Sequence, residues 1–430
     1  VNWLFSRLSL MRIRHLWFLA NFGLAKLAVY FIPILIAFYA GSEFYGAIEL
    51  ALATSLLLAT LLTGAQVSGI TQLFLVHNKR EVNDLLLSLT AVPAIAGGMA
   101  AAFLLLIDGP ITLALTCAVL PLAISQNIAG SWCRMMERPN FTAWSDGISV
   151  LLCGLTCIIA LSRPDEALTR SGTAVLALVS CSIGLGCAMF FHRSRLPSFR
   201  KRIWAASEIG MPIMISSTLG IWLGVGGRIL MGVVNAADLA VFAVAFRIAG
   251  LVLGVHQLAT TAFFARLYRS RTREADRIFT YFFATIGLMA ALISIAGPWI
   301  VDRFQFVSVS GDDNLELHVL IPIAGAQTFF WIGHAMLQMR INRAGLAKST
   351  IAPTLALTIG GAIIIIAAGL GLSNDVRFVS VLISIHAACY FALNWILLAL
   401  RGLPHTRLGI AAIIGGFVLF SIAGLEYLSA

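Results

Sequence analysis

Arg228 and Arg247 are the residues of this chain whose chemistry stands out first, because each lies deep inside a long apolar run. A guanidinium cannot shed its charge by losing a proton, and holding one within hydrocarbon costs at least a few kcal/mol. Such a residue needs an anionic partner, and its forked donors suit a carboxylate or a phosphate. Lys26 lies about ten residues into another apolar run and reads equally as an anion ligand or as an amine that is neutral when buried. Glu49 and Asp146 are the acids nearest to the membrane interior and are candidates for a coupling proton, although their nearness to helix ends favours a solvated or capping role. Gln66, Gln257 and Gln338 either line a polar cavity for hydroxyl-rich cargo or join helices by hydrogen bonds, and His256, His334 and His386 read as packing histidines before proton relays.

These residues are positioned by membrane helices. The chain is 60% hydrophobic and only 11% charged, too apolar for a soluble domain of 430 residues. Thirteen runs are long enough to cross hydrocarbon: about 16–40, 47–76, 85–107, 111–133, 142–162, 172–192, 210–234, 239–263, 278–299, 317–340, 350–372, 378–400 and 409–428. The first is too long for a signal-peptide core and reads as a retained span. With the N-terminus cytoplasmic, 22 of the 29 Lys+Arg fall on cytoplasmic segments, four on outside loops and three, Lys26, Arg228 and Arg247, within spans. A miscounted helix would invert that bias downstream, so the charges favour both the count and the orientation. The same pattern explains the basic excess better than nucleic-acid binding does.

A basic connection at 193–209 divides the first twelve spans into six and six. Arg80-Glu-Val-Asn before span 3 matches Arg273-Glu-Ala-Asp before span 9, and Arg134-Met-Met-Glu-Arg after span 4 matches Arg340-Ile-Asn-Arg after span 10. Six helices per half start both repeats on the same side, which is a parallel pseudo-two-fold repeat. The expected fold is therefore an all-α integral membrane protein of two six-helix bundles, 1–192 and 210–400, with one additional transmembrane helix in 401–430. A cavity between the bundles is the expected substrate site.

Counted from the turn near residue 236, Arg228 and Arg247 lie about 12 and 16 Å deep. Gly220, Gly224 and Arg228 share one helical face, as do Arg247, Gly250 and Gly254. Two permanent cations bordering one cavity call for an anion, supplied by a diphosphate or acidic sugar on the functional reading. On the structural alternative Arg228 snorkels outward and Arg247 pairs with a carboxylate or helix-end carbonyls.

The segments Asn21-Phe-Gly-Leu-Ala-Lys26-Leu, Gly41-Ser-Glu-Phe-Tyr-Gly46, Gly227-Arg228-Ile-Leu-Met-Gly and Val241-Phe-Ala-Val-Ala-Phe-Arg247, with the basic central connection, resemble the polysaccharide flippases. These are the Wzx-like O-antigen and exopolysaccharide exporters of the multidrug/oligosaccharidyl-lipid/polysaccharide, or MATE-like, superfamily. The resemblance spans roughly residues 10–400. It implies a flippase in the bacterial inner (cytoplasmic) membrane that moves an undecaprenyl-diphosphate-linked oligosaccharide outward by alternating access. It further implies coupling to H+ or Na+, membrane lipids as surroundings, and a polysaccharide polymerase and chain-length regulator as partners. Members often carry Asp-Arg where this chain has Gly227-Arg228, which removes the nearest partner of that arginine.

The alternatives are a MATE-type ion-coupled exporter of small molecules, which would favour an acidic cavity, and a membrane glycan polymerase or ligase. The outside loops are too short to house the catalytic domain of such an enzyme. The seven cysteines sit in or at the ends of apolar runs without a CxxC. They read as small hydrophobes, and neither a metal site nor another cofactor is expected.

Overall fold

A computed structural model describes residues 2–40, 42–75, 85–135, 140, 147, 150–151, 154, 166–191, 199–269, 272–304, 312–403 and 405–429, with side chains described over most of these. Every regular element among them is helical. In chain order they are α1 (Asn2–Ala40), α2 (Ser42–Leu75), α3 (Leu85–Leu106), α4 (Ile111–Met135), α5 (Glu166–Phe191), α6 (Phe199–Val234), α7 (Leu239–Ala249), α8 (Leu251–Arg269), α9 (Thr272–Phe304), α10 (Asp312–Arg343), α11 (Ala347–Gly371), α12 (Val376–Leu400) and α13 (Thr406–Ser429).

Nine helices among the described residues are long and apolar enough to cross a membrane, and a tenth is formed if α7 and α8 count as one bent span. Shorter apolar stretches, Ile95–Leu106 and Arg170–Gly186, lie within α3 and α5. The span expected at 142–162 falls mostly outside the described residues; helices lie at the other twelve expected positions, and nine or ten of them have the length and hydropathy of a span. Two expectations change. The run 239–263 is not one straight helix, because it bends by 43° between Ala249 and Leu251. The connection at 193–209 is not all linker either, since α6 begins at Phe199.

The turn between α6 and α7 is held by short polar side chains. Asn235 donates to Asp238 Oδ2 at 2.6 Å and to the Asn374 carbonyl at 2.9 Å, while its own Oδ1 accepts from the Asp238 amide at 3.2 Å. This ties the turn to the start of α12, where Asp375 caps the helix by accepting from the Arg377 amide. Within the helices, hydroxyls are satisfied by carbonyls one turn back. Thr63 donates to Ala59, Ser125 to Pro121 and Ser294 to Ala290, as groups facing hydrocarbon or protein interior require.

Packing places α10 at the centre of the C-terminal half, with 89% of its most apolar window buried, against 17% for α11. Phe283 of α9 stacks between Phe329 of α10 and Phe391 of α12, with ring centroids 4.2 and 6.0 Å away. Leu288, Leu292, Ile295 and Trp299 of α9 are exposed at helical spacing, which is the face such a helix offers to lipid. Across the two halves, α2 lies along α6. A Cβ on Gly64 would come within 2.9 Å of Met214, and one on Gly232 would touch Leu50, so small residues set that approach.

Candidate functional site

Side chains from three helices converge on one carboxylate. Tyr45 and Glu49, one turn apart on α2, face the same way, and Tyr45 donates to Glu49 Oε1 at 3.0 Å. Arg228 of α6 donates from Nη1 to Oε2 at 2.6 Å. Arg247 of α7 grips the carboxylate with two donors, Nε to Oε1 at 2.9 Å and Nη2 to Oε2 at 3.0 Å. Its remaining Nη1 reaches the Val29 carbonyl of α1 at 3.4 Å. The Glu49 side chain is 0% exposed and those of Arg228 and Arg247 are 9% and 14% exposed.

The two arginines thus meet as the helical faces imply, but the anion between them is supplied by the protein. Glu49 is neither a solvated nor a capping residue: it is the most buried member of an ionic cluster joining the N-terminal half to the C-terminal half. Its nearness to the start of α2 misled the sequence reading, because Tyr45 and the packed α6–α7 hairpin seal that end of the helix from solvent. Arg228 does not snorkel outward either. It is folded back under Phe246, whose ring centre is 5.4 Å from the guanidinium carbon. Arg228 thus takes its acid from α2 rather than from the neighbouring position 227, which is glycine.

Among the described residues, one carboxylate against two guanidiniums leaves the cluster one positive charge in excess. The excess borders a cavity of about 210 Å³ between the halves, lined by Lys26, Arg228, Arg247, Gln126, Gln257 and Trp331 among others. The Lys26 ammonium lies 5.6 Å from the centre of the Phe22 ring on its own helix. Arg228 Nε has no hydrogen-bond partner among the described residues.

Trp331 also lines a second cavity of about 390 Å³, where the neutral polar side chains of Thr60, Asn127, Ser217, His256, His334 and Gln338 are set among apolar ones. Gln338 donates to Ser216 at 2.6 Å, and Asn127 to Thr60 at 3.4 Å. The site therefore has two compartments, one cationic and one rich in amides and hydroxyls.

The glycine faces are used differently from a simple glycine-to-glycine contact. A Cβ on Gly224 would lie 2.5 Å from the Trp331 ring, and one on Gly220 would lie 2.7 Å from His334 Nε2, so these residues admit α10. Gly250 and Gly254 lie against Tyr30 of α1. Of the other sequence candidates, Gln257 lines the cationic compartment and Gln338 the neutral one. Asp146 lies outside the described residues, and so does the side chain of Gln66 on α2. His334 is held through Nδ1 by Asn394 at 2.8 Å, the packing role expected of it, although its ring also borders the neutral cavity.

No protein-family model matches this chain, and no curated protein matches it in sequence. Solved structures do match in fold. One is an outward-facing multidrug resistance MATE family transporter of the MOP superfamily, with TM-score 0.56 and 18% identity, covering 89% of this chain and 93% of that one. Another is MATE in the straight conformation, with TM-score 0.57 and 16% identity over 89% and 93%. A third is a MOP superfamily transporter from Pyrococcus furiosus Vc1 (DSM3638), for which a reverse polarity of the binding pocket is taken to suggest a different function. Its TM-score is 0.57, its identity 15%, and the coverage 89% and 94%. At such identities the likeness is one of fold: this is an all-α, multi-pass membrane protein with the fold of MATE transporters.

Proposed function

We propose that this protein is a flippase that carries an undecaprenyl-diphosphate-linked oligosaccharide across the bacterial cytoplasmic membrane by alternating access, with its N-terminus on the cytoplasmic side. The observation that carries this reading is the cavity between the halves, lined by Lys26, Arg228 and Arg247, where the two arginines share the single carboxylate of Glu49. Guanidinium forks suit diphosphate oxygens. The adjoining compartment of amides and hydroxyls around Trp331 suits sugar. A cargo that is anionic at one end and hydroxyl-rich beyond it matches both compartments in order.

The fold favours a second reading, a MATE-type ion-coupled exporter of small molecules. A cationic drug in the first compartment would meet a like-charged wall, which costs affinity. The reversed pocket polarity described for the Pyrococcus transporter is a precedent for cargo changing with charge on this fold. The export pathway would then continue with a polymerase and a chain-length regulator at the outer face.

The deciding experiment is deletion of the protein followed by leaflet-resolved detection of lipid-linked oligosaccharide. Accumulation on the cytoplasmic leaflet with loss of surface glycan is expected. Unchanged surface glycan with no accumulation would rule the flippase out, and a gain in drug sensitivity instead would favour the exporter.

A further inference from the structure

We infer that Glu49 is a stand-in for the cargo's anionic headgroup: it fills the arginine forks while the cavity is empty, is displaced when the headgroup binds, and takes up a proton as it leaves. This rests on the anionic-cargo reading above and specifies how that site is regulated.

The geometry supports exchange rather than simple addition. Both oxygens of Glu49 are used, Oε1 by Tyr45 and by Arg247 Nε, Oε2 by Arg228 Nη1 and Arg247 Nη2. A phosphate competes for those same donors, because carboxylate and phosphate accept the guanidinium fork in the same way. Both arginines also line the cavity, so a headgroup reaches them from the open side while Glu49 holds them from α2. Among the described residues the cluster has a positive charge in excess and Arg228 Nε, on a side chain 9% exposed, has no hydrogen-bond partner, which leaves room for a further anion. A diphosphate brings more negative charge and more acceptor oxygens than a carboxylate does.

The titratable and charged groups around Glu49 are Tyr45 on its own helix, Arg228 on α6 and Arg247 on α7, with Lys26 and Tyr30 of α1 on the cavity wall. Once the headgroup takes the arginines, the buried carboxylate keeps the Tyr45 hydroxyl as its hydrogen-bond partner among the described residues, and a charge so placed is costly. A proton from water neutralises it. The arginine–carboxylate hydrogen bonds break, arginine–phosphate hydrogen bonds form, and one O–H bond forms on Glu49. Because α2 belongs to one half and α6–α7 to the other, the same event releases one of the contacts between the halves. Linkage then requires that proton and headgroup bind with positive coupling, so affinity rises as pH falls.

The test is calorimetric titration of the purified full chain in lipid nanodiscs with geranylgeranyl diphosphate and with inorganic pyrophosphate. Each titration is run in two buffers of different ionisation enthalpy, on the wild type and on Glu49→Gln. The expected result is an uptake of about one proton more by the wild type than by the variant. The variant should also bind tighter at pH 8 by on the order of tenfold. Equal proton uptake and equal affinity at pH 8 would overturn the exchange while leaving the anion site in place. Binding of neither probe to folded protein would overturn the anion site and the exchange with it.

If Glu49→Gln does not fold, Tyr45→Phe weakens the carboxylate's hold by one hydrogen bond and should tighten binding a few-fold; unchanged or weaker binding overturns the proposal. Preference for the prenyl diphosphate over pyrophosphate assigns the exchange to a lipid headgroup, and equal affinity assigns it to the anion alone. In either case the Glu49 difference decides.

Discussion

Arg228 and Arg247 hold the same carboxylate differently, and the difference orders the cost of losing them. Arg247 contributes two hydrogen bonds to Glu49 and one to the α1 backbone, whereas Arg228 contributes one to Glu49 and one to the Gly224 carbonyl of its own helix and lies against Phe246. Removing Arg228 leaves a neutral, bidentate pair. Removing Arg247 leaves a single-contact pair and frees α1. Arg247→Gln should therefore lose roughly 3–5 kcal/mol of stability, as a broken buried pair does. Arg228→Gln should lose about 1–3 kcal/mol. Thermal unfolding of the purified proteins should rank wild type above Arg228→Gln above Arg247→Gln; the reverse order would show that the two-donor grip does not dominate. The sequence makes both arginines stand out, because charge inside an apolar run is conspicuous. It hides their partner, which lies 179 residues before one and 198 before the other, near a helix end where acids are common.

A second residue sits outside the spans and predicts a pH effect. His405, between α12 and α13, is fully buried, and burial pushes its pKa below the ordinary histidine value while Asp276, 3.3 Å away, pulls the other way. Its carbonyl accepts from the Trp395 indole at 3.0 Å, which fixes the turn. With the folded-state pKa depressed, the unfolded chain binds its proton first, so stability is present above about pH 6.5 and declines as pH falls toward the folded value. The unfolding temperature of the wild type should fall between pH 7 and pH 5 more steeply than that of His405→Gln. Equal slopes would show that Asp276 compensates fully.

At the scale of elements, periodicity gives each helix its faces but not their partners. The glycines of α6 are visible in the sequence as one stripe, yet what they admit is the Trp331 and His334 side chains of α10. A methyl group on Gly224 meets a rigid indole at 2.5 Å, whereas one on Gly360 of α11 meets nothing within 4 Å. Gly224→Ala should then cost about 1–3 kcal/mol through overpacking. Gly360→Ala should be neutral or stabilising, since alanine is the better helix former. Thermal unfolding of the two variants compares them directly, and equal loss would mean that backbone freedom rather than side-chain space governs both. The bend at Gly250 is less legible. The 239–263 run holds no proline to mark a break, and the 43° bend appears only in the folded chain, where α7 packs between α2 and α10. The spans themselves are legible because length and hydropathy are local properties.

At the scale of the whole molecule, the alternation of positive charge between loops predicts an even number of crossings per half, and the likeness in fold to MATE transporters supports an all-helical membrane bundle. The sequence cannot say which faces of the halves touch, and that contact is what alternating access must break. Besides the ionic cluster, the halves meet where Gly46 of α2 approaches Leu239 of α7: a Cβ on Gly46 would lie 3.8 Å from that of Leu239, within the span of a disulfide. Gly46→Cys with Leu239→Cys, in a background lacking the seven native cysteines, should therefore cross-link on oxidation and hold the halves together at this end. If the α2–α7 contact opens during each cycle, the oxidised protein should accumulate lipid-linked oligosaccharide on the cytoplasmic leaflet, and reductant should restore export. Each single-cysteine variant should export whether oxidised or not. Undiminished export by a fully cross-linked protein would mean that α2 and α7 move as one body, which would also remove the displacement of Glu49 from the arginines as a step in the cycle.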